Sequence, residues 1–228
     1  QKYLDLISNP RAMKNAILRS NVVRYMREFM HENGFIEVET PILVPIAAGA
    51  QATPFETYHN QLSEKLYLRI ATELYLKKLI VGGIEKVFEI GRLFRNEGID
   101  HNHNPEFTTI ESYEAYSDYN DVMNLVENMV SFIAKKINGS MIIKSENENI
   151  PDIDLTPPWK RIDLRKTLID KVGIDYLEIN DRNSLAQKMK ELKIHVDENA
   201  TWGRLLDKVI SSAIEPDLIQ PHFLVDYP

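Results

Sequence analysis

The chain has 228 residues, 43% apolar and 27% charged, enough for one large domain or two small ones with a sizeable core. It contains no cysteine, which excludes disulfides, thiolate metal sites and cysteine nucleophiles together, and fits a reducing cytoplasm. A formal net charge of −7 argues against a protein that coats nucleic acid through a broad basic surface, while leaving room for a local basic patch.

The opening residues, Gln1-Lys2-Tyr3-Leu4-Asp5, do not form a signal peptide, and without an initiator Met the chain is expected to be cut from something longer. No apolar run approaches the roughly 20 residues needed to span a bilayer, so no membrane partner is expected. Residues 11–33 read as a helix, with Leu18, Val22, Tyr25, Met26 and Phe29 on one face and Gly34 as its stop. Phe35 to Pro41 alternates as a half-buried strand does, and Pro41 ends it. A small-residue loop follows at 46–53. Ala71 to Val81 reads as a helix, with Thr72 as a candidate N-cap and Gly82-Gly83 as the stop. Val87 to Phe94 and Phe107 to Tyr116 read as strands joined by a polar loop, which predicts an antiparallel hairpin with a long connection.

The clearest helix is 119–138, where Val122, Leu125, Val126, Met129, Val130 and Ile133 form an apolar stripe read as core packing. Met141 to Ile143 is a predicted strand, Ser145 to Pro151 a loop, and Pro157-Pro158 a break. Helices are expected around 163–171, 183–193 and 202–214, then a closing strand from His222 to Tyr227. The order predicts an α+β fold, an antiparallel sheet flanked by helices. No glycine-rich strand-to-helix turn of the Rossmann or P-loop kind occurs, so a nucleotide would have to bind by another route.

The polar groups concentrate between Phe94 and Thr108. Arg95 offers a planar fork that grips a carboxylate or phosphate at two points. Phe107 offers a ring face for a purine, and Glu97 and Asn104 offer hydrogen bonds to an adenine or an amino group. On the second strand, Phe107, Thr109, Glu111 and Tyr113 share a face. The same residues also fit a solvated hairpin loop with a surface ion pair, and composition alone does not choose between the two.

The block Phe94-Arg95-Asn96-Glu97-Gly98, a short loop, His103-Asn104-Pro105-Glu106-Phe107-Thr108, then Glu111-Ser112-Tyr113, resembles motif 2 of the class II aminoacyl-tRNA synthetases in its lysyl form. Gly34 to Pro41 resembles the family's motif 1. Arg69 to Lys77 and Lys2 to Leu6 resemble further lysyl segments, and all four blocks stand in the family's order. The resemblance implies a partial class II catalytic core over residues 1–228, with motif 1 at about 11–41, motif 2 at about 87–116 and an intervening helical region at 117–228. It implies activation of lysine by ATP and transfer of lysine to the 3′ end of a tRNA, with Mg2+ as cofactor and a cytoplasmic homodimer built through motif 1. By position, Arg95 would be the catalytic residue, binding the α-phosphate of ATP and the lysine carboxylate. Phe107 would stack on adenine, with Glu97, His103 and Asn104 lining the ATP site. Glu73 would hold the α-amino group of lysine, Gly49 would let substrate approach the backbone, and Glu111 and Tyr113 would read the side-chain ammonium. That last pair has its own rationale, because a buried ammonium needs a carboxylate and further acceptors. An aspartyl enzyme would need a cation there, yet no Lys or Arg occurs between Arg95 and Lys135.

The family's motif 3, G-x-G-x-D-R, and its F-S-E-L-N segment have no counterpart in the sequence, and no metal ligands are expected within it. Magnesium ligands are expected beyond Pro228, and Leu218 to Pro228 resembles the stretch before the missing part. Thr53 stands where the family usually has Lys or Arg, expected only to weaken a local charge contact. An excerpt of a longer synthetase is the expected explanation. The rivals are a paralogue that attaches lysine to a protein and a non-catalytic dimerisation fragment. His31 and His59 read as helix-end or surface residues. His101 and His103 lack a third partner for zinc. Glu37 and Glu39 read as outward-facing carboxylates, and Trp159 and Trp202 as packing residues.

Overall fold

A computed structural model of the protein describes residues 2–100, 103–145 and 147–228. The chain divides into two compact units, Gln1–Val122 and Met123–Pro228.

In the first unit, helix α1 (Lys2–Ser8) precedes the long helix α2 (Pro10–Glu32). Asn9 caps α2 by accepting from the N–H groups of Arg11 and Ala12, and Pro10 sits in the first turn, where its missing N–H is no loss. The Phe35 N–H returns to the Met30 carbonyl and closes the helix at Gly34. Strand β1 is short, Ile36–Glu37. The predicted strand to Pro41 stops early because Thr40 sends its N–H to the Glu89 carboxylate rather than to a ladder carbonyl.

Strands β2 (Leu43–Val44), β3 (Glu56–His59) and β4 (Glu64–Leu68) form a small antiparallel sheet in the order β2-β4-β3. Helix α3 (Glu73–Val81) follows, and then β5 (Lys86–Phe94) pairs antiparallel with β6 (Glu106–Glu114) along all nine positions of each. The expected hairpin is therefore present. The expectation of a purely antiparallel sheet needs correction, because β1 pairs parallel with β5. Some fifty intervening residues, carrying β2 to α3, supply the crossover that a parallel pair requires.

Helix α4 (Tyr119–Asn138) has the predicted bounds and crosses the division between units. Its buried residues are Met123, Glu127, Ser131, Ile133 and Ala134, not the full apolar stripe. Val122 is exposed, and Leu125, Val126, Met129 and Val130 are half-buried. The stripe is turned by about one residue because Glu127 is drawn inward by Arg161.

The second unit is more than helices. Strands β7 (Ile142–Ile143) and β8 (Ile153–Asp154) pair antiparallel, while β9 (Lys160–Asp163) pairs parallel with β10 (His222–Val225). Between them, α5 (Leu164–Val172), α6 (Arg182–Glu191) and α7 (Trp202–Ala213) are capped by Asp163, Asp181 and Thr201. Leu164, Leu168, Leu185, Met189, Leu205, Val209 and Ile214 build the core of this unit. Trp159 stacks on Phe223 and Trp202 packs beside that core, as packing residues do. Among the described residues, no helix is long and apolar enough to cross a membrane.

Candidate active site

The β5–β6 hairpin supplies the frame for the site. Arg95 follows β5 directly, and its N–H donates to the Pro105 carbonyl at 2.8 Å, so the polar loop is cinched at its base. The Asn96 N–H reaches the Thr53 carbonyl at 2.7 Å, which ties the 46–53 loop to the same place. The Arg95 guanidinium carbon lies 5.3 Å from the centre of the Phe107 ring, within cation–π range.

Arg95, Glu97, Gly98, His103, Asn104 and Phe107 line one cleft of about 220 Å³. The family resemblance implies an ATP site at five of these six, Gly98 excepted, and the structure brings those five together. The Arg95 Nε is shielded from solvent and has no acceptor among the described residues. A buried donor is seldom left so, and an anionic ligand would satisfy it. His103 turns its Nδ1 and its N–H to the Asp100 carboxylate, each at 2.8 Å. Asp100 was not anticipated, and it holds the histidine at the mouth of the cleft. His101 lies outside the described residues.

The carboxylates read as a lysine site meet around the start of α3. Glu111 is half-buried on β6. Its Oε2 accepts from the Thr72 N–H at 3.2 Å and the Thr72 hydroxyl at 2.5 Å, and its Oε1 from the Tyr113 hydroxyl at 2.8 Å. Thr72 precedes α3 as predicted, but its side chain makes no capping bond. It is buried and committed to Glu111. Burial, then the hydrogen bond to Glu111, pushes the Tyr113 hydroxyl well above its ordinary pKa, so it stays a donor to the carboxylate.

Gly49 adopts a left-handed backbone at φ +92°, and a Cβ there would lie 3.0 Å from Ala71 Cβ and 3.2 Å from Glu73 Cβ. The loop therefore rests against the first turn of α3 at Glu73. Glu73 holds Lys77 at 2.6 Å, and the Lys77 ammonium lies 5.6 Å from the Tyr113 ring centre. Lys77 was not anticipated. Its i,i+4 spacing from Glu73 is a generic helix-surface signal and gave no sign of proximity to Tyr113.

Phe107 and Glu111 share a face of β6 four residues apart, about 13 Å at a strand's rise of 3.3 Å per residue. One face thus carries the Phe107 ring at one end and a carboxylate with only neutral donors at the other. Among the described residues, no cation reaches Glu111. Among the described residues, no three or more His, Asp or Glu side chains converge on one point.

Glu37 is not the outward-facing carboxylate expected of it. Arg27 grips both its oxygens, at 2.9 and 2.8 Å, and His31 lies 3.4 Å away. Glu39 is exposed as expected. His31 does end its helix, edge-on to Phe88, and the His59 Nδ1 accepts from the Leu62 N–H.

Comparison with known proteins matches the family profile for class II tRNA synthetases (D, K and N) to residues 1–228. A lysine–tRNA ligase from Carboxydothermus hydrogenoformans is 48% identical over 228 residues, which is 100% of this chain and 46% of that protein. One from Dehalococcoides mccartyi is 48% identical over 100% of this chain and 45% of its own length. One from Listeria innocua is 46% identical with the same coverage of each. The chain spans about half the length of the curated relatives it matches.

Proposed function

The chain belongs to the class II tRNA synthetases of the D, K and N group, and from that premise we propose that it forms the lysine- and ATP-binding part of a lysine–tRNA ligase. The observation that carries the choice of lysine is the uncompensated carboxylate of Glu111, caged by Thr72 and Tyr113 and unmatched by any cation among the described residues. A half-buried carboxylate in that state favours an ammonium, and disfavours the carboxylate of aspartate or the amide of asparagine.

ATP enters the cleft beside Arg95, with adenine on Phe107 and with Glu97, His103 and Asn104 as its polar lining. The lysine α-amino group meets Glu73 where Gly49 lets it approach, and this exchanges with Lys77 for the Glu73 carboxylate. The side-chain ammonium is taken by Glu111, with the Tyr113 oxygen as a further acceptor. The lysine carboxylate attacks the α-phosphorus and pyrophosphate leaves; a hydroxyl of the tRNA 3′-terminal ribose then attacks the adenylate carbonyl, forming the ester as AMP leaves. Neither step needs a covalent nucleophile on the protein. Arg95 stabilises the charge that builds on the α-phosphate, its Nε finding there the acceptor it lacks within the fold. Mg2+ accompanies ATP as its counter-ion.

The active species is proposed to be a cytoplasmic homodimer through motif 1. Exposed Met13, Ile17 and Leu18 on α2 support the dimer through motif 1. Velocity sedimentation of the full-length protein tests it, and a monomer at micromolar concentration would refute it.

The relatives' shared name favours tRNA over a protein as acceptor. Incubating the full-length protein with labelled lysine, ATP, Mg2+ and total tRNA should yield label that ribonuclease releases from the acid precipitate. Label that resists ribonuclease and yields to protease would transfer the assignment to a protein acceptor.

A further inference from the structure

Across the β5–β6 ladder, Glu89 stands directly opposite Glu111. Opposed like charges weaken a sheet unless something divides them, and here the division is unequal. Glu89 is 4% exposed and its Oε1 accepts from Arg69 Nη1 at 2.6 Å. Its Oε2 accepts from the Thr40 N–H at 3.2 Å and the Thr40 hydroxyl at 2.6 Å. Arg69 is as deeply buried, with Nη1 also donating to the Thr40 carbonyl at 3.0 Å and Nε to the Arg92 carbonyl at 2.9 Å. Gly91 makes this possible, because a Cβ there would collide with the guanidinium. Glu111 receives only the neutral donors of Thr72 and Tyr113. Arg69, Glu89 and Glu111 together therefore carry a single negative charge in excess, and it resides on Glu111.

We propose that Arg69 and Glu89 are positioning residues for lysine recognition: by neutralising each other they hold the facing carboxylates at that single charge and leave Glu111 to take the substrate ammonium. The inference rests on the reading of Glu111 given above. Arg69 reaches the ATP side as well. Its N–H donates to the Ile42 carbonyl and its own carbonyl accepts the Phe94 N–H, which fixes the strand end that presents Arg95. Without Glu89's charge, the trapped guanidinium becomes an internal competitor for Glu111.

The test is lysine-dependent ATP–pyrophosphate exchange by the full-length protein, with KM for lysine and for ATP measured separately. Glu89→Gln keeps the shape of the side chain and removes its charge. Lysine KM is expected to rise about tenfold or more while ATP KM stays within about twofold. The double variant Arg69→Met with Glu89→Gln restores the cluster's net charge, and should bring lysine KM back to within about threefold of wild type. A purely structural role predicts the opposite order, since the double variant also loses the bonds to Thr40 and Arg92. In that case both KM values rise together and the double is the worse, which would overturn the proposal. An unchanged lysine KM in Glu89→Gln would overturn it equally. Should the double variant not fold, the split between lysine and ATP in Glu89→Gln decides alone. A wild-type protein without lysine-dependent exchange would bring down the lysine reading itself, and would do so before any substitution was made.

Discussion

Removing Arg161 should destabilise the second unit by about 3 kcal/mol, near the low end for breaking a buried ion pair. Glu127 is 4% exposed at its side chain and Arg161 28%. The guanidinium meets both carboxylate oxygens, at 2.6 and 3.1 Å, and the Trp159 N–H adds a third donor at 2.8 Å. In Arg161→Leu the carboxylate keeps its burial and loses its charge partner. The partial exposure of Arg161 lets some water reach the gap, which is why the low end of the range applies. Both tryptophans of the chain, Trp159 and Trp202, lie in this unit, so their emission follows its unfolding selectively. With a denaturant slope of about 2 kcal/mol per molar urea, the midpoint should fall by about 1.5 M. The companion Glu127→Leu/Arg161→Leu should recover part of that loss, because two apolar groups leave no buried charge behind while the Trp159 N–H loses its acceptor. A midpoint within about 0.3 M of wild type for Arg161→Leu, or a double variant no better than the single, would refute the reasoning. The same pair sets a pH dependence. Burial pushes the Glu127 carboxyl up, but the Arg161 hydrogen bonds and the Trp159 N–H outweigh it, and its pKa lies below the ordinary 4.5. A depressed carboxyl stabilises fully above its unfolded value. That contribution is lost as pH falls below 4.5 and through the folded value, so the Arg161→Leu penalty should shrink in acid.

The site carries three further predictions. Arg95→Ala should lower the rate of lysyl-adenylate formation by a factor of about 10³ or more in single-turnover assays, and near-normal rates would remove its role. Glu111→Gln should raise lysine KM about 10- to 100-fold, the worth of a charge-assisted hydrogen bond, while sparing ATP KM in the exchange assay. Gly49→Val strains the left-handed backbone and pushes the loop off Ala71 and Glu73, so calorimetric titration should show weaker lysine binding and the melting temperature should fall by several degrees.

Much of this architecture was legible from local pattern. Helix α4 has the predicted bounds because its periodicity and Gly139 agree, and the β5–β6 hairpin follows from two strand-like runs around a polar loop. The five residues expected on the ATP side share one cleft because they are close in sequence around one hairpin, although only the family resemblance, not composition, pointed to a nucleotide there. What escaped was non-local. The parallel pairing of β1 with β5 depends on a crossover of some fifty residues, and no alternation pattern encodes its direction. Thr72 looked like a cap, since a hydroxyl ahead of a helix is the usual cap signal, yet a carboxylate 39 residues away took it. The stripe on α4 misplaced its inward face by a residue, because a single ion pair from β9 outweighed the choice among neighbouring apolar side chains. Arg69 stood within a segment matched to the lysyl family, but only the ladder register revealed that its partner faces Glu111.

The central claim is that an unpaired carboxylate on β6 selects a cationic amino acid for activation by ATP. ATP–pyrophosphate exchange by the full-length protein, with lysine, aspartate and asparagine supplied in turn, tests it most directly. The account predicts exchange with lysine and none above background with the other two. Exchange driven by aspartate or asparagine would contradict the assignment of Glu111 and, with it, the substrate.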